Sequence, residues 1–159
     1  MGAELVEAGN WAAVAVWFPP DVNYIPPDID RSWQEREFWE AFTPVRQQHL
    51  RGRKHWYLNL LGRHPERSER GQLLPYKKKK KVLTTAGVVR ALIDPYLERA
   101  RAQGVPVWLE CMSEHGRQVY EHLSFRTVAE VRLGVGKVNA SGEPDEKGEG
   151  LTLYAMMAE

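Results

Sequence analysis

Five histidines (His49, His55, His64, His115 and His122), one cysteine (Cys111) and five consecutive lysines (Lys77 to Lys81) are the first residues in this 159-residue chain to offer chemistry. The histidines lack zinc-ligand spacing and have only Cys111 for company, so no metal site is expected. Ser113, Glu114 and His115 are adjacent in the chain. The members of a nucleophilic triad meet in space, and neighbours along the backbone do not have that geometry. Gly134-Val135-Gly136-Lys137 has the flavour of a phosphate loop. Val138 follows where Ser or Thr must hold magnesium, and the upstream glycine is missing, so a twisted strand end is the better reading.

A more informative pattern runs through the middle of the chain. The apolar stretch Trp56 to Leu61 leads into Gly62-Arg63-His64-Pro65-Glu66. A charged loop, Arg67 to Gln72, follows and contains Gly71, and a helix comes after it. A strand, a glycine-bearing loop and a helix N-terminus together make an anion site, because free backbone N–H groups and the helix dipole point at the ligand.

Several elements must position these residues. Ala12 to Phe18 reads as a buried strand, and the Pro-Pro pairs at 19–20 and 26–27 as an extended loop. A helix begins near Arg31, with Asp28 or Asp30 as its cap, and carries Trp33, Glu37, Phe38, Ala41 and Phe42 in a stripe; Pro44 weakens its continuation. Trp56 to Leu61 is the second strand. A helix runs from Gly87 to Gln103 with Val88, Leu92, Tyr96 and Leu97 inward, and Gly104 ends it. Val105 to Cys111, a short helix Gly116 to Leu123, Phe125 to Gly134, an acidic hairpin loop Asn139 to Gly150 and Leu151 to Met157 complete the order. This is a mixed α/β (α+β) pattern in one domain spanning residues 1–159.

With those blocks in order, His55 to Phe125 resembles the acetyl-CoA-binding core of the GNAT N-acetyltransferase superfamily, and within it the small fungal-type acetyltransferase domains. The likeness continues at Gly134 to Asn139 and at Gly148-Glu149-Gly150 leading into Leu153 to Met156, and it includes the early strand Trp11 to Pro20. The resemblance implies a twisted mixed sheet flanked by helices, shortened at its N-terminal end. It implies direct transfer of an acetyl group from acetyl-CoA, as cosubstrate, to a small-molecule or peptide amine. Leu60, Leu61, Gly62 and Arg63 would lie along the pantetheine arm, where backbone N–H groups polarise the thioester carbonyl. Ser68, Glu69, Arg70, Gly71 and Gln72, with Gly87 and Val88 at the helix start, would hold the pyrophosphate. Tyr120 matches the family tyrosine that protonates the departing thiolate, and a phenol neutral at pH 7 suits that task. Glu110, at the end of a central strand, is the candidate for general base, directly or through water; a salt-bridged or capping carboxylate is the other, favoured reading of it.

The match has departures. Ser68 stands at the family's Gln/Arg position, residues 73–86 read as an insertion, Arg63 replaces a valine, and Ser124 replaces the glycine that precedes Phe125. An impaired domain that binds acetyl-CoA weakly is therefore the alternative reading.

Charge and composition restrict the remaining classes. Twenty-two Lys and Arg balance 21 Asp and Glu, for a net charge of +1. Only Lys77 to Lys81 could attract nucleic acid, and that run lacks interleaved aromatic residues, so nucleic acid is disfavoured as a partner. The longest apolar run, Trp11 to Pro20, is far short of the ~20 residues of a spanning helix. No membrane partner is expected, and with a single cysteine a cytoplasmic location fits, the nucleus being left open.

Overall fold

The structure, a computed structural model, describes residues 2–22, 24, 32–66 and 87–159. Among these are six strands, β1 (Glu4–Ala8), β2 (Ala13–Phe18), β3 (Trp56–Arg63), β4 (Val107–Cys111), β5 (Arg126–Leu133) and β6 (Leu151–Ala158). Three helices join them: α1 (Trp33–Leu50), α2 (Val88–Gln103) and α3 (Glu114–Glu121). The mixed α+β architecture is as expected from the sequence. The chain divides into two compact units, one of Met1–Val22, His55–Val107 and Glu159, the other of Asn23–Lys54 and Trp108–Ala158.

In the first unit β1, β2 and β3 pair antiparallel, with β2 in the middle. Small residues and one large ring alternate on β2: Ala13, Ala15 and Trp17 are buried while their neighbours are half-exposed. That period of two places one face of the strand in the core. Trp17 stacks on Tyr96 of α2 with centroids 4.3 Å apart, and Trp56 meets the same ring edge-on at 5.1 Å. α2 presents Val88, Leu92, Ile93, Tyr96, Leu97 and Ala100 to this core, which is the helical stripe expected. Tyr96 closes the layer by donating its hydroxyl to Glu4 at 2.7 Å, with Arg99 on the same carboxylate at 2.9 Å. β1 is short and charged at both Glu4 and Glu7, and Leu5 is exposed, a composition that suits a strand at an edge.

In the second unit β5 and β6 pair antiparallel from Arg126↔Met157 to Leu133↔Leu151. β6 is buried from Leu153 to Ala158, so its side chains are covered on both faces. The loop between them is folded on itself. The Gly136 N–H donates to Gly148 O at 2.8 Å, and Gly150 donates to Val138 O at 2.9 Å. A Cβ on Gly148 would overlap the Val138 carbonyl, which is why a glycine lies there. Gly134 and Gly136 both have φ near +70°, so the motif that imitated a phosphate loop is a turn.

α1 departs from the sequence expectation at both ends. Its cap is Ser32, in a capping box with Glu35, and the expected capping residues Asp28 and Asp30 lie outside the described residues. It also continues through Pro44 to Leu50. The missing proline N–H costs one helical bond. Buried Phe42 and Leu50, on either side of Pro44, and the Arg46 ion pair to Glu110 at 2.5 Å anchor both halves.

Candidate functional site

The first unit gathers one set of the expected residues. On β3 the register skips a residue: Val16 pairs with Leu60 and Trp17 with Leu58, so Asn59 is the extra member of a bulge. A bulge re-aims the strand and leaves backbone groups outside the ladder. Trp56, Tyr57 and Leu58 before it are buried, whereas Asn59, Leu60 and Arg63 are exposed and Leu61 and Gly62 are partly so. Leu60 to Arg63, the segment expected to follow the pantetheine arm, is thus the accessible part of its strand.

The start of α2 lies at the same end of this unit. Its N-cap is Gly87, with no side-chain cap and no acidic residue in the first turn. The orphan N–H groups of that turn carry the positive end of the helix dipole, and no carboxylate within the turn itself uses them. Both pieces are tied to the β1–β2 turn. The His64 N–H donates to Ala12 O at 2.9 Å, and Gly9, at φ 68°, packs so closely on Val88 that a Cβ would come within 2.9 Å of Cγ1. Leu60, Leu61, Gly62, Arg63, Gly87 and Val88 are therefore brought to one end of these three strands. Ser68, Glu69, Arg70, Gly71 and Gln72 lie outside the described residues, as do the lysine run and residues 73–86.

The second unit holds Tyr120 and Glu110. Ser113 caps α3 by accepting the Gly116 N–H at 3.1 Å, which accounts for it without any triad. Gly116 fits tightly: a Cβ there would lie 2.7 Å from Cys111 Sγ and 4.0 Å from the Tyr120 ring. Tyr120 packs edge-on against Phe125 at 5.7 Å, and no described residue hydrogen-bonds its hydroxyl. Burial, with a contribution from nearby Cys111, pushes its phenol up to about 12. It is thus a neutral donor throughout the physiological range. Burial also raises the Cys111 thiol, whose Sγ donates to Ser113 O at 3.2 Å; this is an inert, packed cysteine.

Glu110 is committed elsewhere. Its Oε1 accepts from Arg46 at 2.5 Å and from the Trp108 indole N–H at 2.6 Å, and its side chain is 3% exposed. The partner that matters, Arg46, is 64 residues away and on a helix that the sequence expectation weakened at Pro44. A buried carboxylate signals that some cation must find it, but spacing alone does not say which.

Ser124 stands where the resemblance expects glycine, and its φ is 72°, in the left-handed region. The backbone requirement has been kept although the residue has changed. Ser124→Gly should therefore stabilise the protein by about 1 kcal/mol, read as a raised denaturant midpoint at unchanged slope. No gain would mean that the serine side chain offsets its strain.

Among the described residues no cluster of His, Cys, Asp and Glu could hold a metal ion, and no helix is long and apolar enough to cross a membrane.

No family model matches the sequence. The chain is 34% identical over 106 residues to the putative increased recombination centers protein 11 of Saccharomyces cerevisiae, covering 67% of this chain and 58% of that protein. It is 28% identical over 155 residues to an uncharacterized protein of the same yeast, covering 97% and 60%. The chain thus spans about three fifths of the length of these curated relatives. Among solved structures it matches a mosquito arylalkylamine N-acetyltransferase-like protein, with TM-score 0.55 and 10% identity over 92% of this chain and 67% of that one. It also matches arylalkylamine N-acetyltransferase 2 from Aedes aegypti, with TM-score 0.54 and 16% identity over 92% and 66%. The fold is therefore that of the GNAT N-acetyltransferases.

Proposed function

We propose that this chain is an acetyl-CoA-dependent N-acetyltransferase that passes an acetyl group directly to an amine. One observation carries the reading. In a single unit, the exposed segment beyond the β3 bulge and the uncapped start of α2 are fastened to the same turn, through Ala12 and Gly9. Backbone donors along a strand edge and at a helix N-terminus suit a ligand with a carbonyl at one end and phosphates at the other. The fold neighbours, named for arylalkylamine and agmatine acetylation, support the same reaction class.

Acetyl-CoA supplies an activated acetyl carbon. The amine nitrogen forms its bond to that carbon as the C–S bond breaks; the amine loses one proton and the departing thiolate takes one up. Leu60, Leu61, Gly62 and Arg63 would bind the arm and orient the carbonyl. Gly87 and Val88, with Ser68, Glu69, Arg70, Gly71 and Gln72 as the sequence-based proposal, would hold the pyrophosphate. Tyr120 would donate its proton to the departing sulfur, since its hydroxyl is unengaged among the described residues and stays protonated. Glu110, proposed from the sequence as the base, has its Oε1 filled by two donors and little exposure. We therefore assign it to holding α1 against β4, with water receiving the amine proton.

The test is release of free CoA thiol from acetyl-CoA, followed with and without a panel of primary amines. The proposal expects release that depends on the amine and yields acetylated product in equal amount. Release at the same rate without any amine, or none at all, would overturn it.

A further inference from the structure

Trp11 is large, apolar and 60% exposed, and it sits on the β1–β2 turn of the first unit. Three successive residues of that turn lie in the left-handed region: Gly9 at φ 68°, Asn10 at φ 51° and Trp11 at φ 68°. Glycine adopts this region freely and asparagine tolerates it, but a bulky side chain there is an outlier. Two bonds hold the strained backbone. The Trp11 N–H donates to Glu7 Oε2 at 2.7 Å, and the Ala12 N–H donates to Gly9 O at 3.2 Å.

Neither the turn nor the core accounts for the indole. A glycine would make the same turn without strain. A ring this exposed adds little to the buried apolar area. Among the described residues no other ring and no cation lies against it. Strain of this kind collects at ligand sites, where the surrounding structure holds it in place.

The position of the turn narrows the ligand. Gly9 packs against Val88 at the start of α2, and Ala12 O accepts the His64 N–H just beyond β3. Trp11 lies between these two anchors in the chain. In the transferase reading the pantetheine arm follows Leu60 to Arg63 and the pyrophosphate meets the start of α2. The group that comes after the pyrophosphate along CoA is an adenosine. An indole presents a wide flat face to such a ring, and stacking on it needs no particular hydrogen bond.

We infer that Trp11 binds the purine ring of CoA by stacking, so that the strained turn sets a preference for a nucleotide-bearing thioester over a shorter one. This deepens the transferase reading above and rests on it.

The experiment compares two acyl donors by calorimetric titration. One is acetyl-CoA; the other is S-acetyl phosphopantetheine, which has the same thioester and arm but no adenosine. The proteins are the parent, Trp11→Gly and Trp11→Phe. Loss of a base stack corresponds to roughly ten- to a hundredfold in affinity. Trp11→Gly should therefore bind acetyl-CoA at least tenfold more weakly, and S-acetyl phosphopantetheine as the parent does. Its melting temperature without ligand should equal or exceed the parent's, because glycine relieves the left-handed strain. Trp11→Phe keeps a ring and should stay within about threefold of the parent for both donors. Full affinity of Trp11→Gly for acetyl-CoA, or equal weakening toward both donors, would overturn the inference and leave the transferase reading standing. Equal weakening with a lowered melting temperature would mark the ring as packing alone. Binding of neither donor by the parent would overturn both.

Discussion

Arg46→Met is expected to destabilise the protein by about 3–5 kcal/mol, because it strands the buried Glu110 carboxylate without its cation. For a chain of this length that is a fall in melting temperature on the order of 10 °C. The methionine keeps much of the apolar stem, so lost packing against Trp39, over which the guanidinium lies at 5.5 Å, is the smaller loss. Removing both charges should recover most of the stability: Arg46→Met combined with Glu110→Leu leaves no unpaired charge, although the Trp108 N–H loses its acceptor. Urea unfolding of the three proteins checks this. A loss below about 1 kcal/mol in Arg46→Met would show that Glu110 finds another partner. Glu110→Gln keeps an oxygen acceptor for both donors, so its turnover should stay within a few fold of the parent; a loss approaching a thousandfold would return the base to Glu110.

Tyr120→Phe is expected to lower turnover by ~10²-fold while leaving acetyl-CoA affinity nearly unchanged. The hydroxyl acts on charge that develops at sulfur only as the bond breaks, so its loss falls on kcat and not on ground-state binding. The packing against Phe125 survives in the variant, since only the oxygen is removed. The pH dependence follows from the same group. With its phenol raised to about 12, Tyr120 remains a donor until well above pH 10, so no alkaline fall in rate below that should belong to it. Turnover equal to the parent would reassign Tyr120 to the core between α3 and Phe125.

The parts of the fold legible in the sequence were those whose own residues carry the signal. α2 has an apolar stripe, a glycine at each end and a length that suits a helix, and Val88–Gln103 is where it lies. The strand at Trp56 and the acidic hairpin before Leu151 were equally plain. β1 was not, because Glu4 and Glu7 dilute a five-residue edge strand that exists only by pairing with β2. Pro44 shortens α1 in the sequence because it is a local penalty, whereas what outweighs it, the burial of Phe42 and Leu50 and the pairing of Arg46 with Glu110 64 residues away, is tertiary. The site divides in the same way. Gly87 at an uncapped helix start could be read from its neighbours. The bulge at Asn59 and the ion pair that occupies Glu110 depend on register and on residues far apart in sequence, and no short spacing records them.

Thermal unfolding with and without acetyl-CoA tests the central claim most directly, because a ligand bound only by the folded chain must stabilise it. At a hundred times its Kd, acetyl-CoA should add about 2.7 kcal/mol. For a protein of this size the melting temperature should rise by roughly 5–10 °C, and the rise should follow the logarithm of ligand concentration. An unchanged melting temperature at millimolar acetyl-CoA would contradict the account.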